Sequence, residues 1–328
     1  MRSFFVRKEN MRAELMEEFR KKSWRERREM PIEELVKYYA EERKYALKTG
    51  KQLSGIQFRK WNHFFVRFVL KVDQLMSGEK IIILGDLHKT DTGTSRIYAC
   101  THIGGNDVQR ALQVIHDSAY LMIGNPGIKY RTVIYQGLRL NGVIPLETGD
   151  REDRKVAYAR SVELLKKGGN LLIFPEAAWN ISPNLTVKKI FTGAVRMAKE
   201  TGSEIVPVAV EQYGKTLYFN IGENYRIPQS SDQSTDDLTA ALRDKLVTLK
   251  WKIMETQPPV MRKDVPHNYI DAFQAEIIGR CNFGYGISVE DTVRESFHDR
   301  HIHEPEEVFE HLHTLIPSRE NAFLLRER

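Results

Sequence analysis

Between residues 80 and 214, short apolar runs alternate with longer amphipathic stretches, and this alternation limits the possible folds more than anything else in the chain. The runs "KIIILGD", "RIYACTH", "GVIPLET", "NLLIFPEA" and "EIVPVAVEQYG" have the length and β-branched content of strands. The stretches between them, "DVQRALQVIHDSAYLMIG", "DREDRKVAYARSVELLKKGG" and "FTGAVRMAKETGS", have helical spacing and end near glycine. Strands that alternate with helices of this length predict an α/β domain, with a largely parallel sheet flanked by helices, over residues 78–230.

Helical extensions are expected on both sides of that domain. Residues 1–77 read as a charged helical segment that Pro31 interrupts and Gly50 ends, an appendage rather than a core. Its last part, "WNHFFVRFVLKVDQLM", places Trp61, Phe64, Phe65, Phe68, Val69, Val72, Leu75 and Met76 at three- and four-residue intervals, with Arg67, Lys71 and Asp73 on the other side. Such a helix either packs its aromatic face on the domain or lies with it in a membrane surface. Residues 231–328 are expected to be mostly helical, opened by "PQSSDQSTDD" as linker and cap.

Composition narrows the function classes. The hydrophobic content of 41% supports a sizeable core. Two cysteines, Cys100 and Cys281, build neither a disulfide framework nor a zinc site, so a reducing cytoplasm is expected. Cys100 reads as a small buried apolar residue. The N-terminus lacks a signal-peptide core, and no window reaches the ~18 apolar residues of a spanning helix. The net charge of +6 suits an anionic partner. The basic N-terminal stretch is interleaved with glutamates, so nucleic acid is not expected as that partner.

The chemistry concentrates in "CTHIGGND", residues 100–107. His102 falls where a strand meets a loop, and Asp107 falls at a helix start; in α/β units ligands bind at this end of the strands. Gly104 and Gly105 let the chain fold back so that the carboxylate accepts from one ring nitrogen of His102 and the other faces a cleft. That is a base and its orienting acid without a nucleophile, which a substrate hydroxyl would supply. A plain strand-to-helix turn with polar caps would look the same.

Three further stretches follow in order: "GVIPLETGDR" at 142–151, "IFPEAAWN" at 173–180 and "EIVPVAVEQYG" at 204–214. Together with "THIGGND" they resemble the glycerolipid acyltransferases, the group that includes 1-acylglycerol-3-phosphate acyltransferases. The resemblance implies that His102 takes the proton of an acceptor hydroxyl attacking an acyl thioester, with Asp107 holding the ring. It implies acyl-CoA or acyl carrier protein as donor, a lysophospholipid or related lipid as acceptor, and neither metal nor cofactor. Carried over residue by residue, it places the substrate near Phe174, Pro175, Glu176, Ala177 and Trp179, with Glu176 as the acceptor-binding glutamate, and near Glu147, Thr148 and Arg151. The aromatic helix at 61–76 and the positive net charge lead to an expectation of peripheral contact with an anionic membrane surface at the inner face of the cell membrane.

The chain departs from the family pattern in three places. Ala177 stands where the family has glycine, a change that is harmless only if that backbone does not need a positive φ. The family's Asp-Arg pair falls on Glu147 and Thr148, and its later arginine falls near Trp179. Arg151, Lys188 and Lys189 are the cations near enough to take over phosphate recognition, and Trp179 would equally suit a sugar or glycolipid headgroup. In another class, Asp86, His88 and Asn106 resemble metal-binding blocks of metallophosphoesterases, but the upstream Asp-x-His of that class is missing and "IFPEAAWN" would have no role. His301, His303, His311 and His313 have metal-ligand character on what reads as a solvated helical surface.

Overall fold

The computed structural model describes residues 13–85, 93–182, 185–280 and 289–298. Asp86, His88, Cys281 and the four C-terminal histidines lie outside these residues.

A seven-stranded sheet runs through the molecule in the order β1-β7-β6-β2-β5-β3-β4. Its strands are β1 (Lys80–Ile83), β2 (Arg96–Cys100), β3 (Ala119–Gly124), β4 (Val143–Leu146), β5 (Asn170–Ile173), β6 (Glu204–Tyr213) and β7 (Thr216–Ile221). Every pairing is parallel except β6 with β7, which a two-residue turn joins as a hairpin. Gly214 opens that turn at φ 56°, a conformation glycine adopts freely.

Alternation along β2 explains the layers. Ile97 and Ala99 face one core with α7 (Arg151–Lys166), α8 (Gly193–Thr201) and α9 (Thr235–Met254), while Tyr98 and Cys100 face a second core with α5 (Asp107–Val114). α4 (Ile56–Ser77) and α6 (Val133–Asn141) flank the second face, and Leu70 and Leu138 pack against its core. The sheet is therefore covered on both faces, as a mostly parallel sheet must be. Cys100 is fully buried, and burial pushes its thiol well above the ordinary range, so it has no reactive thiolate.

The structure departs from the sequence reading at several elements. "DVQRALQVIHDSAYLMIG" is not one helix: α5 stops at Val114 and "AYLMIG" is β3, between β5 and β4. Its apolar residues fit either period, and only pairing with two neighbours decides for strand. β7 was not expected either. The division at residue 230 cuts through the main core, because Leu238, Leu242 and Leu246 of α9 belong to it.

The N-terminal helices are more than an appendage. Helical backbone over 13–21 (α1), α2 (Trp24–Glu29) and α3 (Ile32–Lys48) bury Phe19, Leu35 and Tyr39 against Tyr130 and Tyr135. Arg43 of α3 makes a bidentate pair with Asp153 of α7, at 3.0 and 2.6 Å, and also donates to the Tyr130 hydroxyl.

α4 is turned with its apolar side outward. Asn62, His63 and Gln74 are buried, while Trp61, Phe64 and Met76 are 75%, 81% and 84% exposed, and Phe65, Phe68, Val69, Val72 and Leu75 are exposed beside them. Polar anchors hold it that way. The Arg67 Nε donates to the Gln113 carbonyl, and fully buried Arg110 of α5 pairs with Asp73 and Glu79 at 2.7 and 2.6 Å. Of the two alternatives for this aromatic face, packing on the domain is not the one the structure has.

Candidate active site

His102 lies two residues beyond the end of β2, at the carboxyl edge of the sheet, and the chain turns back behind it through Gly104 and Gly105 at φ 84° and 64°. Two residues in the left-handed region would strain any side chain with a Cβ, which is the reason for the glycine pair. The turn delivers Asp107, the first residue of α5, to His102: Oδ2 lies 2.8 Å from Nδ1. The same oxygen accepts from the Ile103 and Gly104 amides at 2.7 and 3.0 Å, so the carboxylate cannot swing away. A carboxylate only accepts, so Nδ1 carries the proton and Nε2 is the basic nitrogen. The His102 side chain keeps 15% of its surface open and Asp107 keeps 1%.

The loop after β5 grips the same histidine. The Phe174 ring lies 4.4 Å from the imidazole at an interplanar angle of 35°, and Trp179 stands edge-on at 6.2 Å. The Asn180 amide donates to the His102 carbonyl at 2.7 Å. Glu176, with no exposed surface, accepts from the His102 amide through Oε1 at 2.9 Å and from the Lys188 amide through Oε2 at 2.8 Å. Burial raises its pKa, opposed by the charge of Lys250 and by those two amides. Both oxygens are thus occupied by main chain, and the geometry makes Glu176 a brace for the His102 backbone. Pro175 is buried, with its carbonyl accepting from the Phe191 amide at 2.9 Å.

A histidine is thus held on its ring by one motif and on both main-chain groups by another, 74 residues away. What the chain is similar to agrees with that arrangement. Residues 82–211 match the Acyltransferase family. Two chloroplastic 1-acyl-sn-glycerol-3-phosphate acyltransferases are similar: that of Arabidopsis thaliana is 28% identical over 160 residues, 48% of this chain and 43% of that protein, and that of Brassica napus is 27% identical over 159 residues, 48% and 45%. The chain therefore spans less than half the length of these curated relatives. The crystal structure of a 1-acyl-sn-glycerophosphate acyltransferase from Thermotoga maritima is 15% identical, covering 66% of this chain and 88% of that one at a TM-score of 0.49.

Within the matched residues, the second block lies on its own network. Glu147 receives the Tyr130 hydroxyl at 3.3 Å, with Arg43 3.7 Å away, and its amide donates to Asp153. Burial raises the Glu147 carboxyl, with Arg43 opposing. Thr148, where the family has arginine, gives its amide and its hydroxyl to Asn125 Oδ1 at 2.8 and 2.9 Å. Arg151 is exposed in the first turn of α7. Lys188 is buried and donates to the Ser296 carbonyl, and burial lowers its ammonium to about 8. The expectation that Lys188 could grip an acceptor phosphate does not fit this position. Asn180, Asn125 and Arg43 had no sequence signal beyond residue type.

Ala177 sits at φ 55°, so the backbone does require the left-handed conformation that the family fills with glycine. The side chain is exposed and strain is the main cost. Ala177→Gly is expected to stabilise the domain by about 1 kcal/mol, raising its melting temperature by about 2 °C, with activity retained. A drop in melting temperature would contradict it.

Proposed function

We propose that this protein is an O-acyltransferase that moves a fatty acyl group from a thioester onto a hydroxyl of a lysophospholipid or related lipid. The observation that carries the reading is the His102–Asp107 pair, with Nε2 left as the basic nitrogen beside Phe174 and Trp179. The acceptor hydroxyl loses its proton to Nε2 while its oxygen attacks the thioester carbonyl. A C–O bond forms, the tetrahedral intermediate collapses, the C–S bond breaks, and the thiolate leaves with the proton returned by the imidazolium. Asp107 stabilises that imidazolium. The step needs no metal and no cofactor, and acyl-CoA and acyl carrier protein are both donors of the required chemistry.

A glycolipid or sugar acceptor is the second reading. Trp179 beside the base suits a sugar face, and Thr148, bound to Asn125, supplies no cation for a phosphate. The test incubates the protein with labelled acyl-CoA or acyl carrier protein and a total lipid extract, then identifies the labelled product by mass spectrometry. Absence of any acylated lipid with either donor would overturn the assignment.

The outward aromatic face of α4 supports peripheral attachment to an anionic bilayer, at the cytoplasmic face of the cell membrane in our reading. Among the described residues no helix is long and apolar enough to cross a membrane. Aromatic side chains in a plane with flanking lysine and arginine favour the lipid interface. Phe64→Ser/Phe68→Ser is expected to weaken vesicle sedimentation by about tenfold or more, given the ~1.5–3 kcal/mol that each buried phenylalanine supplies. Unchanged partitioning would remove α4 from the membrane contact.

A further inference from the structure

A cavity of about 350 Å³ opens on the flank of α4, at the edge where β3 and β5 begin and opposite His102. Lys60, His63, Phe64 and Arg67 of α4 line it together with His116 and Asp117. We propose that this cavity binds the phosphate-bearing headgroup of an anionic phospholipid in the leaflet on which α4 lies; the inference rests on the membrane reading of α4.

The charge balance favours an anion. Asp117 is committed elsewhere, its Oδ2 receiving the Arg96 guanidinium at 2.8 Å and the Tyr98 hydroxyl at 2.6 Å. Lys60 has no carboxylate partner among the described residues. Arg67 donates only through Nε, to the Gln113 carbonyl, so among the described residues its terminal nitrogens are unused. Two cations therefore face the cavity without a matching acid. His63 is buried in the wall with Nδ1 held 3.0 Å from Asn141 Oδ1. With its ring buried and tied to Asn141, His63 shapes the wall, and Lys60 and Arg67 carry the recognition of the anionic headgroup, for which phosphatidylglycerol is the probe.

The rim explains why the ligand is a lipid. Phe64, 81% exposed, stands between Lys60 and Arg67 on the helix surface. With Phe64 among acyl chains, both cations sit at headgroup level, and a lipid can place its phosphate in the cavity without leaving the bilayer. From His63 to Ser77 the helix rises ~21 Å, and Ser77 contacts Arg110 of the helix that begins at Asp107, so this site is separate from the catalytic one. A headgroup held here would fix how α4 is rotated in the interface.

The test sediments the full chain with vesicles of phosphatidylcholine, with and without phosphatidylglycerol. Lys60→Ala/Arg67→Ala is compared with Lys51→Ala/Lys252→Ala, which removes the same charge outside the cavity. The wild type is expected to favour phosphatidylglycerol by about tenfold or more, the scale of one or two cations at an anionic surface. The cavity pair should lose that preference but keep phosphatidylcholine binding, and the control pair should retain most of it. Equal losses in the two pairs would reduce the effect to diffuse charge and overturn the site. A wild type that binds both vesicles equally overturns the cavity alone, whereas one that binds neither overturns the membrane reading with it. Release of the preference by millimolar inorganic phosphate would make this a soluble-phosphate site and overturn the lipid assignment.

Discussion

His102→Ala is expected to reduce acyl transfer by about 10²–10⁴-fold while leaving the fold in place. The ring is the part that keeps some surface open, and the groups that hold the loop are largely independent of it. The Asp107 carboxylate would still accept from the Ile103 and Gly104 amides, and the residue 102 amide and carbonyl would still engage Glu176 and Asn180. The cost in stability should therefore be about 1 kcal/mol, the net worth of one lost hydrogen bond. Product formation from labelled donor and a thermal melt, run on the same preparation, check the two halves. Activity close to wild type would remove His102 from the mechanism.

Glu176→Gln separates the geometry seen here from the acceptor-binding role that the family resemblance implies. The carboxylate accepts two buried amides, one on each oxygen, and a glutamine offers one acceptor and one donor to the same pair. One amide is left facing an N–H, which costs about 1–3 kcal/mol of stability. The His102 main chain then loses its brace, and a displacement of ~1 Å at a catalytic base is worth ~10²-fold in rate. The expected result is a kcat reduced ~10–100-fold with the acceptor KM little changed. A raised acceptor KM at unchanged kcat would instead place Glu176 on the acceptor and refute the bracing role.

Much of the site was legible because its signals are local. The His102–Asp107 contact spans five residues, and the two glycines that permit it announce a backbone conformation that only glycine takes easily. The strand-end position of His102 followed from the apolar run before it. The role of Glu176 was not legible, since a glutamate after Phe-Pro looks the same whether it meets a ligand or an amide 74 positions earlier in the chain. The strain at Ala177 was hidden for a related reason: its φ is set by how the loop must close over His102, and alanine gives no sign of it.

The sequence by itself determined the α/β class, the pairing of His102 with Asp107, and the amphipathic character of α4, because periodicity and glycine placement act over a few residues. The tertiary structure alone decided that "AYLMIG" is a central strand, that α9 completes the main core, and that Glu176 is sealed behind the histidine. It also decided that the aromatic side of α4 faces outward. A helical wheel shows two faces but not which one meets the protein. The choice was made by buried partners distant in the chain, Arg110 on Asp73 and Glu79 and His63 on Asn141, whose hydrogen bonds fix the polar side inward.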